Sequence, residues 1–410
     1  MRIVLAPVGT RGDVQPLVAL ALVLRERGHD VLLSAPENFA GFIASHGLPF
    51  APNAPDYSAF FQEIQHTPFL ELIARQIPYQ FRALSEIAAG ADAIVGSMVQ
   101  VAGPSIAEKH SAAYCFMMPG PVFVRTRDYP PVPLRRQDLP RWRNDLAWRR
   151  RGREWNGVLL EPLNRERAAL GLAPIADSQD YILHSGRVLM AYDPVLAPAP
   201  VFHYPRVTVT GSWYADEGTL DDGLRRFCET SPKPVFVGFG SMANADAGGL
   251  LQTLVRGIEQ SGQRAVIGAG WSAMSADSLP PSCRLIQTAP FHLLFPLVAA
   301  AIHHGGSGTV AVAARSGIPQ AIVPHFSDQY FWGERIRLCG LGPAPVPIED
   351  LTADRLAGII RELVSTPSMH EAARRVAAQI DPRRSLLTAA ECVEEEIAGR
   401  GRSSASLAPA

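Results

Sequence analysis

What this chain lacks narrows its chemistry first. Its five cysteines (Cys115, Cys228, Cys283, Cys339 and Cys392) are scattered, odd in number and without CxxC spacing. That excludes a zinc knuckle and a disulfide framework, and reads as free or buried thiols in a reducing compartment. No apolar run approaches the ~20 residues that a transmembrane helix requires. The opening "MRIVLAP" passes straight into strand pattern, without the longer apolar core and cleavage site of a secretion signal. A cytoplasmic location is the expectation. The net charge is only −1, so no global field draws the chain to nucleic acid. Two nucleotide motifs are also absent. There is no G-x-G-x-x-G followed ~20 residues later by an acid, and no GxxxxGK[ST]. Both absences argue against dehydrogenase and nucleotidase chemistry.

What is there is a long, apolar, periodic chain. It has 410 residues, 47% hydrophobic and 19% charged, enough for two to three domains at ~150 residues each. Short apolar runs alternate with helical patterns from end to end, the sign of a parallel sheet wound with helices. Strands are expected at 3–6, 31–35, 93–95 and 114–118, and again at 235–239, 265–267, 284–286, 300–303 and 320–324. Between the first two, Leu17, Leu20, Ala21 and Leu24 recur on one helix face, and Gly28 ends that helix. The stretch 119–180, rich in Pro, Arg and Trp, reads as helices and loops laid over the first sheet. The expected organisation is therefore α/β, with two doubly wound Rossmann-like domains facing a cleft. The first domain covers 1–205, a turn-rich linker 206–220, and the second domain 221–383. A final helix at 384–398 and a disordered tail at 399–410 complete the chain.

A strand that ends in glycines and opens a helix presents free N–H groups at a positive dipole end, where phosphate binds without a basic side chain. Three such places occur: "GTRGD" (9–13), "GFGSMA" (238–243) and "HHGGSGT" (303–309). Any one alone could be a tight turn with close helix–sheet packing. Asp13 stands where a helix N-cap belongs, and Asp is a favoured cap; the alternative is a base aimed at a substrate proton. No acidic DxD-type pair stands beside these loops, so no metal is expected.

The segment 299–336, "AAAIHHGGSGTVAVAARSGIPQAIVPHFSDQYFWGERI", resembles the nucleotide-sugar signature of family 1 glycosyltransferases, which have the GT-B fold. Pro324 lies 20 residues after His304, and Asp328 and Gln329 lie 24 and 25 after it, as in that signature. The start, "GTRGDVQPLVALALVLRERGHDV", looks like the opening of the sterol and antibiotic branches. The resemblance implies inverting transfer of a hexose from a nucleotide-diphosphate sugar to a hydroxyl of an apolar small molecule: a sterol, polyketide or phenolic natural product. Asp13 would be the base. His304 and the backbone of Gly306, Ser307, Gly308 and Thr309 would hold the diphosphate. Ser241 would contact phosphate or nucleotide, and Asp328 and Gln329 would bind sugar hydroxyls. Thr10, Gly12, His303 and His325 are further candidates. No cofactor is implied beyond the donor, with UDP-glucose as default and a TDP-linked deoxysugar as alternative.

Two departures stand out. Plant members of the family place His where Asp13 is, and carry Glu eight residues after the signature His; here that position is Val312. The choice between uridine and thymidine stays open on that account. Two other function classes also stay open: a non-catalytic sterol or polyketide binder, and a nucleotide-sugar epimerase. One segment belongs to no motif. Residues 135–155 hold eight Arg, three acids and three Trp. They read as a solvated helix face anchored by tryptophans, or as a peripheral membrane contact. Nucleic acid is the third and weakest reading.

Overall fold

Ile3, Val4, Leu5 and Ala6 have no exposed surface, because the strand they form lies at the middle of a parallel sheet covered on both faces. The computed structural model describes residues 1–56, 67–216, 218–240, 247–270 and 279–405. Its first sheet contains β1 (Arg2–Ala6), β2 (Asp30–Pro36), β3 (Phe50–Ala54), β4 (Ala93–Ser97), β5 (Ala113–Met118), β6 (Arg187–Met190) and β7 (Val207–Val209). Their order is β3-β2-β1-β4-β5-β6-β7, with every pairing parallel. The second sheet contains β8 (Val235–Gly238), β9 (Ala265–Gly268), β10 (Cys283–Ile286), β11 (Ala301–His303) and β12 (Gln320–Ile322), in the order β10-β9-β8-β11-β12. In each sheet the winding reverses once, between β1 and β4 and between β8 and β11. Open α/β sheets bind ligands outside the carboxyl ends of the strands at such reversals. The three glycine loops follow β1, β8 and β11.

The expected strands are present, and three more occur that the sequence pattern did not disclose. β3 carries Pro52, which has no N–H to donate, and a strand at the sheet edge tolerates that loss. β6 is four residues long. β7 is three, and it lies inside the stretch read as linker, so the first sheet reaches Val209 rather than stopping at 205. Runs this short carry too few residues for period-2 alternation to register.

A single helix, Arg141–Ala169, occupies most of the Arg/Trp-rich region and buries Leu159 and Leu163 in the first domain's core. The final helix, Pro382–Ala405, crosses back to the first domain. Its Leu386, Ala389, Ala390 and Val393 pack with Leu17, Leu20 and Leu24 of helix Arg11–Glu26. The helix runs through 399–405, inside the stretch expected to be a disordered tail. Adding Gly399 and Gly401 to a formed helix costs only ~1 kcal/mol each. Residues 406–410 lie outside the described residues. One apolar cluster joins the domains: Met118, Tyr192 and Leu196 of the first pack with Ile322, Phe331, Trp332 and Ile336 of the second. Tyr192 meets Trp332 edge-on at 6.2 Å.

Candidate active site

Asp13 is not the N-cap of its helix; Thr10 is. The Thr10 hydroxyl accepts from the Gly12 N–H at 3.3 Å, while Asp13, three positions into the cap, accepts in return. Thr10 N donates to Asp13 Oδ2 at 2.7 Å, and Thr10 Oγ1 donates to the same oxygen at 3.1 Å. Oδ1 takes neither bond. The loop can close this tightly because residue 9 is glycine. Its φ is +141°, and a Cβ there would lie 2.1 Å from Asp13 Oδ2. Burial pushes the Asp13 carboxyl from 3.8 up to about 7. The Thr10 bonds oppose that rise, and the Asp328 charge adds to it.

Across the cleft, helix Ser307–Arg315 starts at the N-cap Gly306. Gly306, Ser307, Gly308 and Thr309 all line the cleft, so the unsatisfied N–H groups of the first turn open into it. The His304 ring is packed between two loops. A Cβ on Gly306 would lie 2.5 Å from its Nε2, and one on Gly240 3.1 Å from its Cε1. His304 Nδ1 is buried without a partner. Burial, with His303 and His325 nearby, holds its pKa down at about 3. The imidazole is therefore neutral, and can donate one N–H or accept one proton.

The other expected residues divide. Asp328 lines the cleft, with Trp332 Nε1 donating to its Oδ2 at 3.1 Å, and burial raises its carboxyl to about 6. Gln329 also lines the cleft. Its Oε1 already accepts from the N–H groups of His325 (2.7 Å) and Phe326 (3.1 Å), so it shapes the loop that presents Asp328. Thr10 and Gly12 line the cleft beside Asp13. His303 does not. It is fully buried, with Nε2 against Gln320 Oε1 at 2.9 Å and Nδ1 accepting from Gly305 N at 3.2 Å. Both nitrogens are used from behind the loop, so ligand contact is closed to it. His325 does not line the cleft; its Nδ1 is bonded to Val323 O at 3.0 Å, its ring lies against Phe239, and its Nε2 is buried without a partner. Ser241 lies outside the described residues. Phe331 and Trp332 are interdomain packing.

The cleft between the domains measures about 730 Å³. Its walls include residues that no motif marks. Arg315 pairs with Asp216 of the interdomain segment, Nη1 to Oδ2 at 3.0 Å, and lies over the Tyr214 ring at 4.1 Å. An acid in a turn-rich linker gives no sequence signal, because its partner is 99 residues away. A second cavity of about 520 Å³ opens beside the cleft, walled by Phe116, Met118, Trp155, Val158, Ile182 and Leu183. Phe69, Met98, Val99, Phe123, Phe326 and Ser327 line both spaces. The two therefore share a mouth, where Phe69 and Phe326 are exposed.

Comparison with known proteins agrees with this geometry. Residues 3–126 match the family model described as Glycosyltransferase family 28 N-terminal domain. Residues 266–395 match Erythromycin biosynthesis protein CIII-like, C-terminal domain. The chain is 34% identical over 400 residues to the vancomycin aglycone glucosyltransferase of Amycolatopsis orientalis, covering 93% of this chain and 94% of that one. It is 31% identical over 395 residues to a sterol 3-beta-glucosyltransferase of Arabidopsis thaliana, of which it spans 62%. Among solved structures, glycosyltransferase VinC in complex with DTDP matches with a TM-score of 0.72 at 23% identity, over 98% of this chain and 100% of that one. Two parallel α/β domains, a cleft at their winding reversals and full-length likeness to a glucosyltransferase make this chain a member of the GT-B glycosyltransferases, in the family that contains the antibiotic and sterol glucosyltransferases.

Proposed function

We propose that the protein moves a hexose, with inversion, from a nucleotide-diphosphate sugar to a hydroxyl of an apolar small molecule of the natural-product or sterol kind. The observation that carries this reading is the pairing across one cleft. On one side is a carboxylate with a pKa near 7. On the other is a helix N-terminus with a neutral histidine, and an apolar cavity opens beside the cleft that holds both. Asp13 accepts the proton of the acceptor hydroxyl as that oxygen forms its bond to the anomeric carbon. The bond from that carbon to the diphosphate oxygen breaks on the opposite face. The amides of residues 306–309 and the His304 N–H receive the leaving charge, a fixed arrangement that needs no reorganisation in the transition state. Asp328 accepts from sugar hydroxyls. UDP-glucose is the donor expected first, with a TDP-deoxysugar as alternative. Thermal unfolding with UDP, TDP and NAD tests the donor site. A ligand that binds only the folded state stabilises by ~2.7 kcal/mol at one hundred times its Kd. Stabilisation by UDP or TDP, absent with NAD and lost in His304→Ala, is expected. No shift with either nucleotide would overturn the transferase reading.

A second reading concerns how the acceptor is delivered. On helix 141–169, Trp142 is 63% exposed and Leu146 57% exposed, one turn apart. The Arg143 guanidinium lies over Trp142, and Arg149 and Arg153 are exposed close by. This pattern suits an anionic membrane surface, where an apolar acceptor would dissolve. Co-sedimentation with phosphatidylglycerol vesicles, but not with phosphatidylcholine vesicles, is expected, with loss in Trp142→Ala/Leu146→Ala. Failure to pellet with either vesicle would leave the segment as a solvated helix face.

A further inference from the structure

The apolar cavity contains a cation that sugar transfer leaves without a role. Arg151 and Trp155 stand one turn apart on helix 141–169, and both line the cavity wall. Arg151 lines only this cavity, not the donor cleft. Its side chain is 16% exposed, and its nearest carboxylate, Glu154, is 3.8 Å away. That carboxylate is already engaged at 2.9 Å by the Nε of Arg150. The guanidinium makes no hydrogen bond among the described residues; its remaining contact is the Trp155 ring at 5.5 Å. Gln179, which lines the same cavity, reaches within 4.0 Å of the position a Cβ on Gly152 would take, next to Arg151. Burial lowers the Arg151 pKa, and Glu154 offsets part of that. The other acid on the wall, Glu71, is exposed.

A guanidinium offers five donors in a fixed fork that matches a carboxylate. Leaving it desolvated and without an acceptor costs free energy that an acidic ligand would recover. Among the described residues that line this cavity Arg151 is the one cation, with Glu154 at 3.8 Å and Glu71 exposed, amid aromatic and aliphatic walls. We propose that the acceptor is an apolar hydroxy acid. Its carboxylate pairs with Arg151, its apolar body fills the cavity, and its hydroxyl passes the shared mouth toward Asp13. This inference rests on the cavity being the acceptor site, and so on the transferase reading above.

The test uses lithocholic acid, a steroid with a hydroxyl at one end and a carboxylate at the other, and its methyl ester. Affinity is measured by calorimetry on the full-length protein with UDP present. The wild type is expected to bind the acid roughly tenfold more tightly than the ester, as a charged hydrogen bond would give. Arg151→Gln is expected to bring the acid to within about twofold of the ester while leaving the ester's affinity unchanged. Arg151→Lys should keep part of the preference, because the charge stays and only the fork is lost. Stabilisation by UDP, measured on all three proteins, reports folding and the donor site separately. A wild type that binds both probes equally, or neither, overturns the proposal. So does Arg151→Gln weakening acid and ester alike, which would mean that Arg151 only packs over Trp155. Loss of UDP binding with the acid preference intact would instead sink the transferase reading.

Discussion

Asp13 divides two tasks between its two oxygens: Oδ2 closes the capping box with Thr10, and the carboxylate as a whole faces the cleft. A base must be ionised to act, so activity should rise with pH through about 7 and level off above it. Asp328 contributes to the raised value. Asp328→Asn should therefore move that rising limb to lower pH, besides weakening sugar binding, and a kcat/KM profile of both proteins checks it. The sign for stability is opposite. A carboxyl whose folded pKa is raised stabilises the fold fully below its usual value near 3.8. That contribution is lost as pH climbs to about 7. Asp13→Asn should consequently cost no stability at pH 8, while lowering turnover by ~10²–10⁴, the usual contribution of a general base. Its UDP-induced thermal shift should match the wild type's. His304 differs in kind: it is neutral well above its pKa of about 3. His304 should thus add no titration of its own to nucleotide binding between pH 5 and 8. The sequence singles out Asp13, Asp328 and His304, and all three line the cleft. That His303 rather than His304 faces the core is not legible, because two adjacent histidines give no sign of which turns inward.

At the scale of elements, the proposed donor site is a strand end, two glycine turns and a helix start. Gly306→Ala would drive a Cβ into the His304 ring. It is expected to lose most of the nucleotide-induced stabilisation, as His304→Ala does, while far-UV circular dichroism stays unchanged. The final helix is an element of another sort. Glu394 on it accepts from Arg27 at 2.6 Å and bonds His29 at 2.8 Å, and the Arg27 bond above all pulls its carboxyl down to about 2. Such stabilisation is present above the usual Glu range and is lost as pH falls toward 2. Glu394→Gln should destabilise by at most ~1 kcal/mol at pH 7, given how exposed the pair is. Urea titrations should show the difference narrowing by pH 3. The existence of this helix was readable from its apolar spacing. Its length was not, because helix ends depend on weak per-residue preferences that docking overrides.

For the whole molecule, Trp332 is the test of how the halves are joined. It is buried in a cluster that both domains build. Trp332→Ala is expected to cost about 3–5 kcal/mol and to split a single calorimetric transition into two. Read along the chain, the residues already give the two wound sheets and the place of the glycine loops. Those follow from local periodicity and from spacings short enough to read along the chain. The rest came from folding. It put Arg315 of the phosphate-loop helix on Asp216, set Arg151 in the wall of a cavity whose other residues come from distant segments, and raised Asp13 to about 7 by burial. Cavities, desolvation and long-range pairs arise where surfaces meet, and one strand of letters carries no record of which surfaces those are.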